Sequence, residues 1–171
     1  MLKKRKPTTP GTRHQVVLDR SDLYKGEPEK SLLAKGHKKR QGRGYKGHIT
    51  MRHRGGGVKK RMRIIDWKRR KRDIAGRVER IEYDPMRSAN IALIIYPDGE
   101  KKYMVAPDEL NIGDQVIAGE KVEIKTGNAM PLRNVPIGIP IHNLEMTPGK
   151  GAQIVRGAGT AAYVQAKEGK Y

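Results

Sequence analysis

Apolar residues are spread unevenly along this chain. Between Lys3 and Arg63 no apolar run exceeds three residues (Val16-Val17-Leu18), whereas longer runs recur from Ile64 onward. The later runs read as strands. Arg63-Ile64-Ile65-Asp66-Trp67 predicts the start of one. Residues 76–83 predict another, with Ile81 and Tyr83 sharing a face at the period of two that strands impose. Asp84-Pro85 ends it. Residues 89–96 carry the strongest apolar run and read as a buried strand. Pro97-Asp98-Gly99 is a hairpin turn signal, and 101–106 is the returning strand. Residues 114–117 and 121–124 follow, with Gly119 between them. After Gly127 a second block offers strands at 132–136, 139–144, 153–155 and 161–166, interrupted by Pro131, Pro136, Pro140 and Pro148. No segment carries an apolar stripe at helical spacing, and residues 59–72 are too basic all round to bury one. Many short strands separated by Gly, Pro and Asp predict an all-β chain built on small barrels.

The first third has a different character. Glycines at 36, 42, 44, 47, 55, 56 and 57 alternate with Lys, Arg and His. Glycine lets backbone approach a ligand closely and adopt positive φ. Residues 1–61 therefore read as an extended basic arm, and the core must come mostly from residues after about Ile64. A domain that small is marginal alone and leans on a partner.

Charge sharpens this division. Up to Arg72 the chain holds 25 Lys and Arg against 5 Asp and Glu, a net of +20; from Asp73 to Tyr171 it holds 12 against 13, a net of −1. The whole chain of 171 residues carries +19. A localised cationic field points to a polyanion, nucleic acid first. With no Phe and a single Trp, an aromatic stacking platform is not expected, so phosphate contacts should dominate.

Several chemistries are disfavoured. There is no cysteine, hence no disulfide framework and no thiolate metal site. No run approaches the length of a membrane span, and no membrane partner is expected. The basic N-terminus lacks the apolar stretch of a signal peptide and the Ser-rich character of an organellar presequence. His14, His37, His48 and His53 lie among Lys and Arg, which disfavour a bound cation, and His142 stands apart, so no metal site is expected. Gly149-Lys150-Gly151 and Gly157-Ala158-Gly159 invite a phosphate-loop reading. Lys150 is followed by Gly rather than Ser or Thr, and no helix follows, so barrel loops or RNA-touching turns are the better reading. No acid, base or nucleophile constellation emerges. The chain is read as a non-enzyme that needs no cofactor.

The informative constellation is Thr50-Met51-Arg52-His53-Arg54-Gly55-Gly56-Gly57-Val58-Lys59-Lys60-Arg61. Three glycines permit a sharp turn, and flanking cations bracket it. Such a turn suits a folded-RNA crevice, because RNA is read largely by shape and backbone. Arg52-His53-Arg54-Gly55-Gly56-Gly57 followed by Arg63-Ile64-Ile65-Asp66-Trp67-Lys68-Arg69 resembles the large-subunit ribosomal protein L-two family, in its bacterial and organellar form. So do Glu82-Tyr83-Asp84-Pro85-Met86-Arg87-Ser88-Ala89-Asn90-Ile91-Ala92-Leu93, Leu132-Arg133-Asn134-Val135-Pro136 and His142-Asn143-Leu144-Glu145-Met146-Thr147-Pro148-Gly149-Lys150-Gly151.

The resemblance implies an RNA-threading arm, an oligonucleotide-binding-like (OB-like) barrel over 62–126, and an incomplete SH3-like barrel over 127–171. It implies a structural role in the large ribosomal subunit, in assembling the peptidyl-transferase region and in subunit association. The implied partners are large-subunit rRNA and neighbouring ribosomal proteins. The candidate rRNA-binding residues are Arg13, His14, Arg43, Arg52, His53, Arg54, Gly55, Gly56, Gly57, Lys59, Lys60, Arg61, Arg63, Lys68, Arg69, Arg87, Ser88, Asn90 and Lys150. For Asn90 a strand residue bonded within the sheet is the competing reading. Family members continue past Tyr171. A break at the turn-like tip Gly169 leads to the expectation of a second polypeptide carrying the rest, with a truncated product as the alternative. The setting is a bacterial cytoplasm or an organelle matrix, the apparent split favouring a mitochondrion. A free-standing nucleic-acid-binding regulator on the same barrel is the competing function.

Overall fold

A computed structural model describes residues 2–35 and 40–168; Gly36, His37 and Gly169 lie outside the described residues. The described chain is all-β. Its strands are β1 (Leu2–Lys4), β2 (Val16–Leu18), β3 (Gly76–Glu82), β4 (Ile91–Ile95), β5 (Lys101–Val105), β6 (Gln115–Val116), β7 (Pro140–Ile141) and β8 (Ala162–Tyr163). Two short 3-10 turns occupy Lys30–Leu32 and Leu132–Asn134.

The central sheet is antiparallel, in the order β5-β4-β3-β6. Strand β4 has no polar side chain, so both of its faces must be covered. Ala92 and Ile94 face a cluster with Val78, Tyr96, Met104, Leu110 and Val116, which fills the inside of the curled sheet. Ile91 and Leu93 face a second cluster with Ile65, Ala89, Tyr103 and Val105, with Leu32 and Trp67 packed against it. That outer cluster is where the expected arm changes. Its apolar members within the first 61 residues are few, but Leu32 is used to cover β4.

Hydrogen bonds fix the cover. The amide of Tyr24 donates to the Ile81 carbonyl (2.9 Å), extending the free end of β3. The Ala34 amide donates to Met62 O and the Ile64 amide to Leu32 O, both at 2.9 Å. Asp66 then donates from its amide to Tyr103 O on β5 (2.8 Å), and Asp73 to Ala118 O just past β6 (2.7 Å). Residues 65–73 thus run from one edge of the sheet to the other, leaving neither edge bare. The uniform extended arm over 1–61 is corrected accordingly. Residues 24–34 belong to the packed body, and β1 pairs with β2 in a hairpin of its own.

Strand β3 carries a second correction. A register shift between Val78 and Arg80 places one extra residue there. The bulge puts Val78 opposite Ile94 and Ile81 opposite Ala92, both toward the inner cluster. Glu82 then lies opposite Ile91 on the outer face, and Tyr83 is left exposed. The face expected to join Ile81 and Tyr83 ends at Ile81, because β3 stops at Glu82 and Tyr83 lies beyond the ladder.

The bulge also aims Arg80 and Glu82 into the outer cluster. Glu82 is 2 % exposed; its Oε1 accepts from Arg80 Nε (2.8 Å) and from the Tyr103 hydroxyl (2.9 Å). The Tyr103 hydroxyl in turn accepts the Glu29 amide (2.9 Å), and Glu29 pairs with Lys101 (3.0 Å). This network ties residues 24–34 to the sheet with polar bonds as well as apolar contact. Burial, reinforced by the Glu82 carboxylate, pushes the Tyr103 phenol up to about 12.

Of the other expected strands, 121–124 forms none. Residues 132–136 form a 3-10 turn between Pro131 and Pro136 instead. Prolines at both ends remove the amides a ladder would need. The strands expected at 139–144, 153–155 and 161–166 survive only as β7, a single bridge between Leu144 and Ile154, and β8.

Leu93→Ala should cost about 2–5 kcal/mol in chemical denaturation, as buried Leu truncations do. It should also speed hydrogen exchange at the Ala34 and Ile64 amides, since their seat is lost; Ile94→Ala should destabilise without that local signature. Glu82→Ala, which strands Arg80, should cost about 3–5 kcal/mol. Tyr103 binds its proton more tightly folded than unfolded, so that contribution is complete below about pH 10 and lost as pH rises to about 12. Absorbance titration should show this phenol ionising last, together with unfolding.

Candidate nucleic-acid interface

No carboxylate occurs between Glu29 and Asp66, and this interval holds most of the chain's unbalanced charge. The bridge between Leu33 and Arg63, with its flanking hydrogen bonds, closes the interval at its base. The cationic segment is therefore a loop held at both ends on the outer face of the sheet rather than a free tail. Residues 45–61 are exposed throughout, so their charges face water rather than one another.

Two substructures shape this loop. The first is a small hairpin over 42–51. Gly44 N donates to His48 O (2.9 Å), Gly47 N to Gly44 O (3.1 Å), and Thr50 N and Met51 N both to Gly42 O (2.9 and 3.1 Å). Arg43 Nη1 donates across it to Gly47 O (3.0 Å). Gly42 has φ +74, and a Cβ there would overlap the Met51 carbonyl, so only glycine closes this base. At the tip stands Tyr45, 100 % exposed. The second is the triple-glycine turn. Gly55, Gly56 and Gly57 have φ of 126, 67 and 72, three consecutive residues in the region side chains avoid. His53 just before them also has positive φ, at 57. An open cleft lined by Gln41, Gly42, Met51, Arg54, Gly55 and Gly56 lies between hairpin and turn.

The sequence-derived residues divide by what they touch. Arg13, His14, Arg43, Arg52, His53, Arg54, Lys59, Lys60, Arg61 and Lys68 are exposed, as is Asn90, whose backbone carbonyl accepts the Ala106 amide (3.0 Å). Arg63 is half-buried and donates from Nη1 to Arg61 O (2.9 Å).

Arg69 is turned inward. Its guanidinium donates to Met104 Sδ (3.0 Å) and to Gly127 O (3.3 Å). Burial lowers its pKa, opposed by Tyr96 and Asp66. Arg87 donates to Asp84 Oδ2 (2.7 Å), a fully buried carboxylate whose Oδ1 accepts the Met86 amide (2.9 Å). Ser88 Oγ accepts the Ala158 amide (3.1 Å). Arg69, Arg87 and Ser88, expected at RNA, are engaged within the protein. Of the three, Arg87 is the one that answers a buried carboxylate, Asp84.

The loop at Lys150 is likewise organised from within. Glu145 accepts from the amides of Gly149 (2.7 Å) and Gly151 (2.9 Å), leaving neither for a phosphate, while Lys150 itself is exposed. Among the described residues no group of three or more His, Cys, Asp or Glu is placed to hold a metal ion. Burial, with Arg69 adding repulsion, holds His142 below the usual imidazole range.

Trp67 joins the two blocks. Both Arg87 and Arg156 lie over its ring, at 5.2 and 4.5 Å from the centroid, and Ala152 N donates to its carbonyl (3.0 Å). Lys71 reaches Asp98 and Glu100 at the β4–β5 turn and lies over Tyr96, at 4.5 Å. These roles for Lys71, Arg80 and Arg156 were not separable by sequence, since in a basic run every cation looks alike. Tyr45 was missed for a different reason: the shortage of aromatics directed attention away from any single ring.

Comparison with protein families agrees with this layout. Residues 29–118 match the family described as Ribosomal Proteins L2, RNA binding N-terminal domain, and residues 125–171 match Ribosomal Proteins L2, C-terminal domain. The first match begins among the residues that Tyr103 and Lys101 tie to the sheet. The second corrects the expectation of a second polypeptide: both domains are represented within this one chain, which removes the support for it. With two family domains matched in order over most of its length, and its resembling motifs falling within them, the chain belongs to the ribosomal protein L2 family.

Proposed function

We propose that the chain is a structural, rRNA-binding constituent of the large ribosomal subunit, and that it supports assembly of the peptidyl-transferase region and association of the subunits. The observation that carries this is the carboxylate-free loop fixed at both ends on a folded body and exposed along 45–61. Anchoring both ends reduces the entropy lost when the loop is ordered on RNA. Its cations then meet phosphates, while the triple-glycine turn lets backbone enter a crevice that side chains would fill.

On this reading the contacts come from Arg43, Arg52, His53, Arg54, Lys59, Lys60 and Arg61, with the glycine turn between them. Arg13 and His14 on the N-terminal hairpin and Lys68 and Lys150 on the body would add peripheral contacts. The domain division places the RNA-binding barrel before about residue 126 and the second barrel after it, in accord with the two matched segments. The same matches favour this reading over a free-standing regulator.

Four outcomes are expected. In cell lysate the protein should sediment with the large subunit; a pool confined to the top of the gradient would overturn the ribosomal reading. Affinity for large-subunit rRNA should fall with a slope of about −9 in log K against log[salt] if about ten phosphates are neutralised. Arg52→Ala should reduce that slope by about one, whereas Arg69→Ala should leave it unchanged and lower stability instead. Gly56→Val, which cannot hold φ +67 without strain, should rearrange the exposed turn and impair incorporation into subunits more than it lowers the unfolding free energy.

A further inference from the structure

Most aromatic rings of the described chain are already engaged. Tyr24 lies under Arg80 (4.3 Å), Tyr83 under Arg20 (3.6 Å), Tyr96 under Lys71, and Trp67 under two arginines. Tyr103 is buried. Tyr45 differs: it is 100 % exposed, against 60 % for Tyr163 on β8, and among the described residues no cation lies over its ring. It is nevertheless presented on a defined support, because the hairpin over 42–51 is closed by four backbone hydrogen bonds and by the Arg43–Gly47 bond. The Gly47 amide bonded back to Gly44 O, with Gly47 at φ +80, is the pattern of a short hairpin loop ended by a left-handed glycine. Tyr45 and Lys46 are its central residues. Small polar residues or proline favour such positions for local reasons, and a tyrosine contributes nothing to the turn. Its ring exposes apolar surface in the middle of the cationic loop.

We propose that Tyr45 stacks on an unpaired base of large-subunit rRNA, with Lys46 on an adjacent phosphate. The inference rests on the rRNA-binding reading and adds to it a single-stranded contact that charge alone does not supply. Both faces of the ring are open to a base. Stacking is indifferent to base identity, since every base offers a π face, so the specificity required is for an unstacked nucleotide.

The test uses the full chain with transcribed large-subunit rRNA, and with a fully paired RNA duplex as the comparison probe. Tyr45→Ala should weaken rRNA binding about tenfold to hundredfold with no change in the salt slope. Lys46→Ala should instead reduce that slope by about one. Tyr45→Phe should retain the affinity, and Tyr45→Ala should bind the duplex as the unaltered chain does. Thermal unfolding should be the same for all three variants. If the unaltered chain binds rRNA and Tyr45→Ala binds equally well, or Tyr45→Phe fails to retain affinity, the stacking contact is overturned while the rRNA reading stands. If the unaltered chain prefers neither rRNA nor duplex and shows no salt dependence, both fall together.

Discussion

The structure depends on a strand that is apolar on both faces. Ile91-Ala92-Leu93-Ile94-Ile95 lies in the interior of a four-stranded sheet, and curling that sheet covers only one of its sides. Leaving Ile91 and Leu93 in water would forfeit several kcal/mol of apolar burial, at roughly 25 cal/mol per Å². The chain that covers them flanks the cationic loop. Residues 24–34 and 62–67 therefore carry a double assignment: they complete the outer cluster, and in doing so fix both ends of the charged segment. The position of the cationic loop is a consequence of core packing.

Charge is divided along the same line. Several cations of the packed body are spent internally. Arg80 neutralises Glu82, Arg87 neutralises Asp84, Lys71 binds the β4–β5 turn, and Arg69 fills the gap between Met104 and Gly127. Those of the loop face water. Arginine serves both as a structural donor within the body and as an exposed cation on the loop, and burial distinguishes the two. An exposed, carboxylate-free loop adds its charges into one field, whereas the internal pairs cancel at short range.

Trp67 has a comparable double position. Its side chain packs on the outer cluster, while Arg87 and Arg156 lie over its ring and Ala152 bonds its backbone. The first barrel and the second block thus meet on a residue that also lies on the strap crossing the sheet. The Asp84-Pro85-Met86-Arg87-Ser88 turn serves this joint from the other side, through Arg87 on the ring and Ser88 on Ala158. A motif that resembles an RNA contact in sequence acts here as the mortar between two blocks.

The sequence by itself determined the all-β class, the β4–β5 hairpin, the location of the charge and the family. These are local or additive properties: an apolar run, a Pro-Asp-Gly turn, a sum of charges and an ordered set of motifs. It also located the triple-glycine turn, because positive φ at three successive residues is a demand only glycine meets cheaply. What only the tertiary structure decided was non-local. The bulge in β3 brought Val78 and Ile81, three residues apart, to one face and left Glu82 on the other, since face parity depends on register against β4. The sparse apolar residues before Ile64 could not be ranked without knowing that β4 needed an outer cover. The basic residues could not be sorted either, because Arg69 and Arg54 are the same chemistry until one is buried beside Met104 and the other is left in water.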